Sequence, residues 1–158
     1  MNEPLDGRLF GEDQPCFGCA PAHPIGFRLA FEREDGGVVT RFVPDDRYQG
    51  PPGVMHGGLV MTLADEVAAW AIIEKLGKFG FTTHAECRLK RPVRIGVETV
   101  GHGRVVNANR RVIEVEVMIS QNEEVACQAT LKFVLLDGGS AERLLNAPLP
   151  DAWKKFGR

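Results

Sequence analysis

Residues 57–76, GGLVMTLADEVAAWAIIEKL, constrain this chain more than any other stretch. They are long enough for a helix of more than five turns. Up to Ile73 the side chains are apolar apart from Thr62, Asp65 and Glu66. A helix that is apolar nearly all round is covered nearly all round. Two acids inside it therefore need a reason, because a buried carboxylate is costly without a partner or a task. Gly77 is placed to terminate the helix, with Lys75 and Lys78 near its negative end.

The residues around the helix read as β-structure. IGFRLAFER, 25–33, alternates apolar and polar positions and predicts a strand. EDGG at 34–37 predicts a turn, and GVVTRFVP a second strand of a hairpin. DDRYQGPPGVM, 45–55, reads as a loop. Residues 79–91 alternate without interruption, with Phe81, Ala85 and Cys87 on one face and Thr82, His84 and Glu86 on the other. Three further long strands follow, broken near Gly101–Gly103, Asn107–Asn109 and Gln121–Glu124. The order β-β-α-β-β-β-β predicts an α+β fold, with an antiparallel sheet curled around one central helix. A second subunit or the N-terminal arm is expected to cover the rest of the helix. Residues 1–24 read as an irregular arm, 25–137 as the domain, and 138–158 as a tail with a short helix at SAERLLN.

The 158 residues suit one domain, and the net charge of −2 gives no footprint for nucleic acid. The N-terminus has no basic segment followed by an apolar run, so no signal peptide is expected. No membrane span is expected either, because the longest apolar run carries acids. The expected location is cytoplasmic, with the four cysteines reduced.

The helix start carries the second signal. His56 precedes Gly57 and Gly58, two poor helix formers. Their N–H groups lie at the positive end of the helix and can be approached closely, as a developing oxyanion requires. Asp65 lies about 12 Å further along the axis. One carbonyl cannot reach both ends of that gap within one subunit, so two subunits are expected to share the site.

YQGPPGVMHGGLVMTLADE (48–66), KRPV (90–93) and CFGCAPAHPIGFRL (16–29) resemble the hotdog-fold acyl-CoA thioesterases, in particular the phenylacetyl-CoA-type subgroup. The resemblance implies a homodimer or homotetramer with acyl-CoA sites at the subunit interface. It implies that the Gly57 N–H polarises the thioester carbonyl and that Asp65 is general base or nucleophile. It also implies that Thr82, ten residues before Pro92, assists the acid. Where some relatives carry Asn, this chain has Gly50 beside Gln49, and Gln49 is a candidate to place water or thioester. His56 and Gly58 are further substrate-binding candidates, and Lys90 and Arg91 suit the phosphates of coenzyme A. Arg94 lies close by in sequence, and Arg110 and Arg111 are assigned to another strand. The chemistry requires no metal and no cofactor. Cys16-x-x-Cys19 with His23 is one pair without a second and is read as packing the arm. A hotdog dehydratase or hydratase and a non-catalytic acyl-CoA-binding module are the alternatives.

Overall fold

The computed structural model describes residues 4–158, so the first three residues of the expected arm lie outside the described residues. The elements are β1 (Leu5–Asp6), β2 (Ala30–Glu34), β3 (Gly37–Phe42), α1 (Gly57–Leu76), β4 (Gly80–Leu89), β5 (Thr99–Ala108), β6 (Val112–Gln121), β7 (Glu124–Leu135), α2 (Gly138–Leu145) and α3 (Asp151–Lys154). The strands form one antiparallel sheet in the order β1-β2-β3-β5-β6-β7-β4. The sheet curls around α1, giving the α+β hotdog architecture.

α1 has the bounds its sequence predicts. It ends where Gly77 turns left-handed at φ 62° and donates its N–H to the Ile73 carbonyl at 2.9 Å. Val60, Leu63, Ala64, Val67, Ala68, Ala71 and Ile72 are buried. They meet the inward row Ile113, Val115, Val117 and Ile119 of β6 and Cys127, Ala129, Leu131 and Phe133 of β7.

Gly101 and Gly103 do not break the strand as expected. Both lie inside β5, because the helix crosses the sheet there. A Cβ on either residue would sit 2.8 Å from a Val67 methyl group. The turn signal was a packing signal. The gap in the chain falls instead at 90–98, where Gln121 holds the loop by accepting from the Arg94 N–H and donating to its carbonyl.

Two other strand expectations change. Residues 25–29 do not join β2. The Phe27 and Leu29 N–H groups donate to the carbonyls of Phe17 and Gly18 in the arm, and Arg28 adopts φ 55°. β4 is not strictly alternating. Its pairing with β7 slips between Thr82 and His84, leaving Thr83 as an extra residue. Thr82 opposes the buried Phe133, and Cys87 opposes Ala129. Thr82 and Cys87 therefore share the helix-facing side, which uninterrupted alternation would forbid.

The arm and tail close the far side of α1. Trp70 stacks on Phe31 at 5.1 Å and meets Phe10 edge-on at 5.8 Å. Phe10 also packs against Trp153 and Phe156, and the Trp153 indole donates to the Phe10 carbonyl at 3.1 Å. The arm therefore supplies part of the cover that the apolar helix demands.

Gly103→Ala places a methyl group against Val67 and is expected to cost about 1–3 kcal/mol in urea denaturation. A Gly103→Ala/Val67→Ala double variant should be less destabilised than the sum of the single changes. Strict additivity would mean that the helix does not depend on this contact.

Candidate active site

The loop 44–56 delivers the chain to the start of α1. Asp45 pairs with Arg47, and the Tyr48 hydroxyl hydrogen-bonds to the Gly26 carbonyl at 2.7 Å. The His56 N–H donates to the Tyr48 carbonyl at 2.8 Å. His56 caps the helix, its Nδ1 accepting from the Gly58 N–H at 3.0 Å. Of the two glycine amides, Gly58's is therefore occupied. The Gly57 N–H has no hydrogen-bond partner among the described residues. A Cβ on Gly57 would lie 3.2 Å from Leu89 at the end of β4, so that end of β4 lies against the helix start.

Asp65 lies two turns along the same helix. Its carboxylate accepts from the Thr82 hydroxyl at 2.5 Å. Burial raises its pKa above the ordinary aspartate value, and the Thr82 hydrogen bond opposes that rise. Met61 and Gly58 are exposed on this side of α1, while Asp65 is half-buried. Thr82, Ala85 and Leu89 are also exposed although they point toward the helix. β4 is the edge of the sheet. The result is an uncovered strip between α1 and β4 that contains a half-buried carboxylate, a hydroxyl and a free helix-start N–H.

The other candidates lie around this strip or away from it. The Gln49 side chain is used within its loop, accepting from the Gly53 N–H at 2.6 Å and donating to the Asp46 carbonyl at 3.1 Å. Lys90 is exposed directly after β4, and Arg91 pairs with Glu124 at 3.1 Å. Arg110 and Arg111 lie in the β5–β6 turn rather than in a strand. That turn and Arg94 are at opposite ends of β6, so these arginines do not form one cluster. A groove of about 530 Å³ lies on the outer face of the sheet, lined by residues including Arg88, His102 and Arg104, and does not include Asp65.

Sequence reasoning missed Cys87. Burial raises its thiol pKa and the charge of Asp65 adds to the rise, so the thiol lies within the field of the carboxylate. The shift of alternation at the bulge was the missing signal. Glu66 accepts from the Trp70 indole at 3.1 Å and lies 3.6 and 3.7 Å from the Cys16 sulfur.

Residues 52–128 match the model of the thioesterase superfamily. A solved thioesterase superfamily protein superposes with a TM-score of 0.69 at 23% identity, covering 85% of this chain and 67% of that one. A hypothetical thioesterase from Streptococcus pneumoniae, solved with coenzyme A, gives 0.63 at 24% identity, covering 68% and 87%. A Streptococcus mutans protein bound to acetyl-CoA gives 0.63 at 21%, also covering 68% and 87%. No curated protein matches. The chain resembles this superfamily over residues 52–128 and has the hotdog fold of these solved structures. No helix among the described residues is long and apolar enough to cross a membrane.

Thr82→Val removes the hydroxyl donor from Asp65 and leaves burial unopposed. The Asp65 carboxyl is expected to titrate at higher pH than in the wild type, followed by carbon-13 NMR. Thr82→Ser should restore it. An unmoved titration in Thr82→Val would show that the hydrogen bond does not tune the acid.

Proposed function

We propose that this protein is an acyl-CoA thioesterase that hydrolyses an acyl- or aryl-CoA to the free acid and coenzyme A. The observation that carries the reading is the Asp65–Thr82 hydrogen bond on the open strip between α1 and β4. Thioester hydrolysis needs an activated water or a nucleophile, and donors aimed at the developing oxyanion. Asp65 serves as general base or nucleophile. Thr82 holds its carboxylate toward the strip. The Gly57 N–H polarises the carbonyl, with the positive helix end behind it.

Asp65 and this N–H are separated by about 12 Å along one helix. The working site therefore combines Asp65 of one subunit with Gly57 of another. The unpaired outer edge of β4, beside Thr82, supports pairing with a second copy there. Met61 and Leu89, both exposed, supply apolar surface for such a contact or for the acyl group. Lys90 is available to the phosphates of coenzyme A, and Arg91 reaches them by leaving Glu124. The occupants of the two streptococcal relatives support the substrate class. Structures of the Streptococcus pneumoniae protein with an aspartate or a threonine changed to alanine concern the same two residue types. A hydratase, which moves a proton on carbon, finds less support. Its natural base, His56, already accepts from the Gly58 N–H as a helix cap.

The test is coenzyme A release over short, medium, long and aryl acyl-CoAs, with wild type beside Asp65→Asn. The variant should lose ~100-fold or more in kcat on every substrate that the wild type turns over. Turnover that survives in Asp65→Asn removes the acid from the mechanism. Binding of CoA esters without turnover by the wild type would identify a binding module instead.

A further inference from the structure

Glu66 and the CxxC of the arm form a second cluster that the thioesterase reading does not use. Cys16 and Cys19 come from the arm and Glu66 from the middle of α1. Their ligating atoms all lie within 4.8 Å of one another. We propose that Cys16, Cys19 and Glu66 bind one thiophilic divalent cation of the zinc class, which clips the N-terminal arm to the central helix.

The spacing fits such an ion. A tetrahedral centre with Zn–S near 2.3 Å and Zn–O near 2.0–2.2 Å sets sulfur–oxygen edges of about 3.5 Å. The Cys16 sulfur lies 3.6 and 3.7 Å from the two Glu66 oxygens. Two sulfurs and one oxygen leave the fourth position for water. Cys16 is half-buried, so solvent reaches the cluster.

The surroundings orient each ligand. Trp70 donates to Glu66 Oε1 at 3.1 Å and is itself fixed between Phe10 and Phe31. Gln14, which is buried, accepts from the Cys16 N–H at 2.8 Å and donates to the Cys19 sulfur at 3.6 Å. Such outer partners are what a metal site needs to hold its ligands in place. The turn between the cysteines sits directly on the carboxylate, since a Cβ on Gly18 would lie 2.4 Å from Glu66.

The electrostatics point the same way. Three acidic groups meet here, and the neighbour whose charge acts on Glu66 is Cys16, not a cation. Burial pushes Glu66 up to about 8. Hydrogen bonds from the Cys19 thiol and from backbone N–H groups draw Cys16 down to about 6, while Cys19 is driven upward by its bond to Cys16 and by burial. Binding one divalent ion displaces to solvent whatever protons the two thiols and the carboxyl group still hold. No oxidation state changes, and no co-reactant is needed.

The full chain should be purified under reducing conditions, analysed for metal, and titrated with Co²⁺ and then Zn²⁺. Wild type should show the near-ultraviolet thiolate-to-cobalt charge-transfer band and tetrahedral visible bands, both abolished by zinc. Cys16→Ser, Cys19→Ser and Glu66→Gln should each weaken binding by more than the ~10–100-fold typical of losing an outer partner. Cys87→Ser and Cys127→Ser should leave the bands intact. A wild type without thiolate bands overturns the proposal whatever the variants do. So does a mass 2 Da below that of the reduced chain, with loss of the Cys16 and Cys19 thiols, since the pair then forms a disulfide. Unchanged bands in Glu66→Gln would overturn the three-ligand assignment.

Discussion

The close approach of α1 to β5 is the contact on which the rest depends. Val67 rests over Gly101 and Gly103, where no Cβ leaves room for a helix to pass. A helix seated that deeply brings its neighbours with it. Leu63, Ala64, Ala68 and Ala71 are buried in the core, and Asp65 comes within hydrogen-bond reach of Thr82 on β4. The same helix that rests on this pair of glycines carries Asp65 two residues before Val67.

The helix itself was legible from the sequence because its signals are local. Apolar composition, Gly77 and the His56–Gly57–Gly58 start all act within a few residues of the boundaries they set. The hairpin around EDGG was legible for the same reason. The curled antiparallel sheet followed from the need to cover an all-round apolar helix. What was not legible depends on distant partners. Residues 25–29 alternate like a strand, but their N–H groups are claimed by Phe17 and Gly18. Gly101 and Gly103 look like turn residues until Val67 is placed above them.

The same division runs through the site. Asp65 stood out because an acid in an apolar run is anomalous in any context. Thr82 was reached by counting back from Pro92 in the family resemblance, and strand alternation put it on the wrong face. The bulge at Thr83 corrects this: it turns Thr82 toward the helix without disturbing Cys87 and Leu89 further along. A single extra residue is almost invisible in a pattern of period two. The thiols that meet Glu66 were hidden for another reason. They come from an arm some fifty residues away whose composition suggests no structure.

Two adjacent acids in one helix would repel each other if both were charged in a poorly solvated interior. A step of one residue turns the helix by about 100°, so their side chains enter different surroundings. Asp65 reaches an open strip where a hydroxyl donates to it. Glu66 faces an indole and two thiols, and burial favours its neutral form. The environments push the two titrations apart, the pattern by which neighbouring carboxyl groups acquire different tasks. Of the two, Glu66 is the one that burial drives up to about 8, whereas at Asp65 the Thr82 hydroxyl opposes the rise that burial causes. With a proton on it, Glu66 adds little net charge beside Asp65. Asp65 can therefore ionise in the middle of an apolar helix although another carboxyl group is its nearest neighbour in the chain.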